Sequence, residues 1–190
     1  NPLVDHVHSL GMQFGLWFEP EMVNEDSDLA RAHPDWLLAA RPGATGGDLP
    51  APWRHQQVLN LTIREAWEYI RERVVTLVRE LGIDYIKWDH NRDLVEAGDQ
   101  HAGGRAAVHA QTHAVYALFD AIKADCPGLE IESCSSGGAR IDLEILQHTD
   151  RVWVSDCIYP VERQEMVRSL SQILPYELMG THVASAHSHT

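Results

Sequence analysis

Two acidic side chains in this chain stand where chemistry is expected. Asp89 closes the segment Ile83-Asp84-Tyr85-Ile86-Lys87-Trp88-Asp89, and Asp156 closes Arg151-Val152-Trp153-Val154-Ser155-Asp156. Each segment reads as a short buried strand that delivers a carboxylate at its C-terminal end. If both strands belong to one parallel sheet, both carboxylates face one pocket. Two carboxylates flanking a scissile bond are the minimal equipment for glycoside hydrolysis.

The neighbours sharpen this. Side chains at i and i+2 of a strand share a face, so Lys87, Asp89 and Asn91 point the same way. A lysine beside an aspartate favours the ionised carboxylate that a nucleophile requires. The alternative is an ion pair that only tidies a strand end, but charged groups around a buried tryptophan are costly without a purpose. Asp156, set against apolar surface, would hold its proton more tightly and suit a general acid; its alternative is a helix N-cap. The loop Cys134-Ser135-Ser136-Gly137-Gly138-Ala139-Arg140 offers backbone amides at close range, or is a tight strand-to-helix turn. Trp17 and Trp53 could stack on sugar faces or pack in a core.

Metal chemistry has weaker footing. His6 and His8 form a His-x-His pair, but inside a helical pattern their rings diverge by about 200° and cannot share an ion. His182, His187 and His189 cluster late in the chain without a clear ligand set. No metal and no cofactor are therefore expected.

The elements that must position these groups alternate strictly. Leu3, Val4, Val7 and Leu10 have helical spacing, with Gly11 just past the end. Phe14 to Phe18 reads as a fully buried strand ended by Glu19-Pro20-Glu21, and Asp28 to His33 as a short helix stopped by Pro34. Ala39 to Pro52, rich in Gly and Pro, reads as a long loop, and Val58 to Leu61 as a brief extended piece. Thr62 and Glu65 match a capping box. The helix it opens carries Ala66, Trp67, Ile70, Val74, Leu77, Val78 and Leu81 inward and closes at Gly82. A second helix from Val108 to Ala124 turns Val108, Val115, Leu118, Phe119 and Ile122 inward. Leu129 to Ser133 is the next strand, and a short helix passes through Ile141, Ile145 and Leu146. After the strand at Val152 comes a helix from Glu162 to Leu174 with Met166, Val167, Leu170 and Ile173 inward. A last strand falls within Tyr176 to His182. Helix–strand alternation means a parallel sheet with crossover helices. No Gly-x-Gly-x-x-Gly follows a strand, which removes support for a dinucleotide site. Polar residues at several strand ends favour the (β/α)8 barrel, whose C-terminal rim carries the chemistry. About five strands are legible, against eight in a full barrel, so residues 1–190 are expected to form a single domain that is an incomplete α/β barrel.

Bulk properties narrow the partners. With 28 acidic and 15 basic residues the formal charge is −13, which disfavours nucleic acid and anionic membranes. The lack of an apolar run of about 18 residues predicts no membrane span. The first residues are no signal peptide and read as the middle of a longer pattern. Three cysteines, odd in number, suggest a reducing compartment and a cytoplasmic setting.

The motifs together resemble the retaining α-galactosidases of glycoside hydrolase family 36. The matching stretches are Phe14 to Val23, Tyr85 to Arg92, Glu132 to Arg140, Trp153 to Asp156 and Met179 to Val183, in family order. The resemblance implies a (β/α)8 catalytic domain and hydrolysis of terminal α-linked galactose by double displacement. It implies Asp89 as nucleophile, Asp156 as acid and base, and sugar contacts from Trp17, Arg54, Lys87, Asn91, Cys134 and Gly137. In such a mechanism the two carboxyl groups stand about 5–5.5 Å apart. The implied partner is a small galactoside, and the implied assembly of the parent protein is a homo-oligomer. The chain departs from the pattern: the family's Asp-Asp-Gly-Trp strand and its flanking β-domains are absent, and Ala186-His187-Ser188-His189 replaces Pro-Asn-His-Gln. The 190-residue chain alone is therefore expected to be weakly active or inactive. Other readings are a related α-N-acetylgalactosaminidase, a non-catalytic galactoside-binding or structural remnant, and a metal-dependent barrel hydrolase.

Overall fold

A computed structural model describes residues 1–182. In chain order its elements are α1 (Pro2–Ser9), β1 (Gly15–Phe18), β2 (Met22–Asn24), α2 (Asp28–Ala32), β3 (Gln56–Val58), α3 (Arg64–Leu81), β4 (Tyr85–Trp88), β5 (Gly98–Asp99), β6 (Arg105–Ala106), α4 (Val108–Asp125), β7 (Glu130–Ser133), α5 (Ile145–His148), β8 (Arg151–Trp153), α6 (Pro160–Leu170) and β9 (Met179–Gly180). The described chain divides into two compact units. The first comprises 1–18, 82–91 and 128 onward; the second comprises 19–81 and 92–127.

The first unit holds one five-stranded sheet in the order β1-β4-β7-β8-β9, parallel throughout. These are the five strands expected from the sequence, and their parallel pairing is that of part of a (β/α)8 barrel. Ile86, Trp88, Ile131 and Val152 are fully buried, as strands covered on both faces require. Truncating Ile131 to alanine would cost about 2–5 kcal/mol through lost transfer energy and the cavity left. The register aligns Trp17 with Lys87 and Lys87 with Glu132, so side chains from three adjacent strands meet in one layer. Asp84, one residue before β4, ties the strand starts together: its Oδ2 accepts from the Phe14 amide at 2.8 Å and pairs with His8 Nε2 at 2.7 Å.

The second unit contains the antiparallel pairs β2–β3 and β5–β6 and the long helices α3 and α4. The Trp67 indole on α3 donates to the Ala114 carbonyl on α4 at 2.9 Å, and Arg71 pairs with Asp125 at 2.7 Å. Gln111 is buried and spans a gap in the backbone ladder, accepting from Leu61 N and donating to Leu59 O. Met22, Leu38, Val58, Ala97 and Ala107 form a small apolar cluster.

Several local expectations change. β1 is not fully buried: it alternates between exposed and half-buried residues, because it is an edge strand of the described sheet. The extended piece near Val58 lies earlier, at Gln56–Val58, where it pairs with β2. α3 starts at Arg64, and the Thr62 hydroxyl donates to Asn60 Oδ1 at 2.6 Å instead of capping the helix. Val108 is exposed as the first residue of its helix. α6 ends at Leu170, so the helical period fails beyond it and Leu174 is buried where Ile173 was expected. Leu77 on α3 is exposed and Val75 is buried. Val183 and the run Ala186 to His189 lie outside the described residues.

Candidate active site

All but one of the residues expected at the site belong to the first unit. Asp89 follows the last residue of β4, and Asp156 stands three residues beyond the end of β8. Since β4 and β8 are parallel strands of one sheet, separated by β7, both carboxylates leave the sheet at the same edge.

Asp89 is 5% exposed and surrounded by donors. Its Oδ2 accepts from the Trp17 indole nitrogen at 3.0 Å and its Oδ1 from the His90 amide at 2.8 Å. Asn91 and the Cys134 thiol also donate to it. Burial pushes this carboxyl up, but the donors from Asn91, Trp17, Cys134 and the His90 amide together outweigh burial, and the net result lies below the ordinary aspartate range. Asp89 is thus an anion held by directed hydrogen bonds. The Cys134 thiol does the converse: burial drives it up to about 12, so it stays protonated and can donate.

Lys87 does not supply the stabilisation expected of it at Asp89. Its ammonium pairs with Glu132 Oε1 at 2.9 Å and lies 3.7 Å from the centre of the Trp153 ring. Glu132, its side chain 5% exposed, also accepts from the Tyr85 hydroxyl, whose pKa is raised by burial first and by Glu132 second. Gly180 makes room for this carboxylate: a Cβ there would fall 2.2 Å from Glu132 Oε2. Alternation along Glu130-Ile131-Glu132 was the available sequence signal, but Lys87 and Glu132 pair only once the β4–β7 register is known.

Asp156 is exposed and not set in an apolar wall; its Oδ1 accepts from the Trp153 indole nitrogen at 2.8 Å. Nor does it cap a helix, since α6 begins after Tyr159. Trp153 therefore touches both Lys87 and Asp156. The loop after β7 packs against the same segment. Ser136 and Gly137 both have positive φ, at 46° and 84°, and a Cβ at Gly137 would lie 3.0 Å from Ser155 Cα and 3.2 Å from the Asp156 amide nitrogen. A side chain at that position would strain the backbone as well as collide. Asn91 Oδ1 accepts from the Ser136 amide and hydroxyl, each at 3.2 Å, linking the Asp89 strand to the same loop.

Arg54 is the exception. It belongs to the second unit, is exposed, has φ of 54° and lies 3.9 Å from Glu19 Oε1. Trp53 is also exposed there. Among the described residues no group of three His, Cys, Asp or Glu side chains is placed to hold a metal, and no helix is long and apolar enough to cross a membrane. His6 and His8 sit on α1, with His8 committed to Asp84.

This arrangement supplies one buried anion, one exposed carboxyl, an ammonium and a glycine-lined loop at one sheet edge. Comparisons with known proteins address the chain as a whole. The melibiase family profile matches residues 1–190. The alpha-galactosidase of Escherichia coli is 48% identical over 188 residues, which is 99% of this chain and 25% of that protein. The crystal structure of the GH36 alpha-galactosidase AgaA from Geobacillus stearothermophilus superposes with a TM-score of 0.89 at 34% identity, covering 98% of this chain and 26% of that one. A variant of the same enzyme solved in complex with raffinose gives 0.87 at 34% identity over 97% of this chain and 26% of that one. The chain thus spans about a quarter of the length of the relatives it matches.

Proposed function

Because the chain belongs to the melibiase family, we propose that the protein carrying it is a retaining α-galactosidase that removes terminal α-linked galactose from small oligosaccharides. Residues 1–190 are then one partial catalytic domain, and alone they are weakly active or inactive. Asp89 attacks the anomeric carbon as the glycosidic bond breaks, forming a β-galactosyl ester, while Asp156 gives its proton to the departing oxygen. Asp156 then takes a proton from water, whose oxygen attacks the same carbon; the ester bond to Asp89 breaks and α-galactose leaves. Trp17, Lys87, Asn91, Cys134 and Gly137 line the sugar. The Cys126, Cys134 and Cys157 thiols are all free, which supports a reducing, cytoplasmic setting.

The reading rests chiefly on one observation: Asp89 and Asp156 follow the C-terminal ends of parallel strands in the same sheet, with Asp89 held as an anion. The test is chemical rescue in the full-length protein. Asp89→Ala is expected to abolish turnover of an aryl α-galactoside, and added azide to restore it with β-galactosyl azide as product. A β-galactosyl azide from Asp156→Ala instead would reverse the two roles.

A further inference from the structure

Arg163 is 8% exposed, although its helical neighbours Glu162, Gln164 and Glu165 all face solvent. A buried guanidinium is costly unless its donors are used. Here Nη1 donates to the Ser155 carbonyl at 2.9 Å and to the Cys157 carbonyl at 3.1 Å, and Nη2 donates to Thr181 Oγ1 at 3.0 Å. Its carbon lies 5.6 Å from the centre of the Trp153 ring. The two carbonyls belong to the residues on either side of Asp156. The same segment is held from elsewhere too: Gly137 packs on Ser155 and the Asp156 amide, a Cβ at Gly138 would fall 2.6 Å from the Val154 carbonyl oxygen, and the Trp153 indole donates to the Asp156 carboxyl.

We propose that Arg163 is a positioning residue for Asp156: its guanidinium grips the main chain on both sides of that carboxyl and ties it, through Thr181, to the end of β9. Asp156 is exposed on a segment without regular structure, so its own packing cannot fix it. A rigid fork donating to both flanking carbonyls can. Placement matters because a displacement of about 1 Å in a reacting group costs on the order of a hundredfold in rate. The inference rests on Asp156 being the acid and base.

The test uses the full-length protein and three substrates: an aryl α-galactoside with a strongly acidic phenol, one with a weakly acidic phenol, and melibiose. Proton donation matters little for the first and greatly for the others. With Asp156→Ala as reference, Arg163→Met is expected to lose on the order of a hundredfold in kcat/KM on melibiose, less than about tenfold on the acidic aryl substrate, and to yield α-galactosyl azide with added azide. Arg163→Lys, which keeps part of the donor set, and Thr181→Val, which removes one acceptor and leaves the two carbonyl contacts, are expected to give smaller losses with the same ordering; they carry the comparison if the methionine variant does not fold. An equal loss on all three substrates in the Arg163 and Thr181 variants, while Asp156→Ala retains the leaving-group dependence, overturns the proposal and leaves the role of Asp156 standing. Equal losses in Asp156→Ala itself overturn both.

Discussion

Lys87 and Glu132 are register partners on adjacent parallel strands, and their charged atoms lie 2.9 Å apart beneath the strand ends that carry Asp89 and Asp156. Glu132 is the more buried of the two and receives a second donor from Tyr85. The pair fixes the lysine ammonium beside Trp153, and Trp153 in turn holds Asp156. A strand-interior ion pair is therefore connected to the exposed carboxyl by one aromatic ring.

Removing the carboxylate should release the ammonium. Glu132→Gln is expected to lower kcat/KM of the full-length enzyme by ten- to a hundredfold, which corresponds to about 1.4–2.8 kcal/mol. Glu132→Ala, which strands a partly buried cation, should in addition destabilise the fold by about 3–5 kcal/mol. Steady-state kinetics together with denaturant unfolding separate the two effects. Wild-type values in both assays would remove Glu132 from the account.

Gly180 offers an independent handle on the same pair. Gly180→Ala puts a methyl group where Glu132 Oε2 now lies, and overpacking of this kind costs about 1–3 kcal/mol. Combining it with Glu132→Ala should relieve the collision, so the two unfolding penalties will sum to more than the penalty of the double variant. Strict additivity in thermal or urea unfolding would mean that the two side chains do not compete for space.

The acid limb of the rate profile should report Asp89. Its pKa is depressed in the folded protein, so ionisation persists below the ordinary aspartate range and the limb of kcat/KM against pH falls there. Trp17→Phe removes a donor to the ionised form, which must raise that pKa. The limb is then expected to move to higher pH; an unmoved limb would show that the indole contributes nothing to the anion.

Asp84 gives a pH dependence of stability instead. The Phe14 amide lowers its pKa, burial opposes this, and His8 lowers it further. A carboxyl depressed on folding contributes stability that is present above its unfolded value and is lost as the pH falls through its folded value. Asp84→Asn should therefore flatten the acid side of a Tm-against-pH profile relative to wild type. Parallel profiles for the two proteins would exclude this tie as a source of acid sensitivity.

The five-stranded sheet and both carboxylate positions were legible because the signals are local. Short apolar runs mark the strands, and Gly11 and Gly82, both with positive φ, mark the ends of α1 and α3. β2, β5 and β6 were missed because strands of two or three residues, one of them Gly98-Asp99, carry no period to detect. The partner of Lys87 was misassigned because Asp89 is near in sequence, whereas Glu132 is near only through the β4–β7 register. Arg163 left no trace at all: it sits in a polar helical run, and its partners are two carbonyls and a hydroxyl that no side-chain pattern announces.

The central claim is that Asp89 forms the covalent bond to the sugar and that Asp156 does not. The most direct measurement treats the full-length enzyme with a fluorinated α-galactosyl fluoride, which slows breakdown of the glycosyl-enzyme, and maps the modified peptide by mass spectrometry. The expected result is one added fluorogalactosyl group on the peptide containing Asp89, esterified to its carboxyl. A label on Asp156 or Glu132, or full turnover with no trapped species in any peptide, would contradict the account.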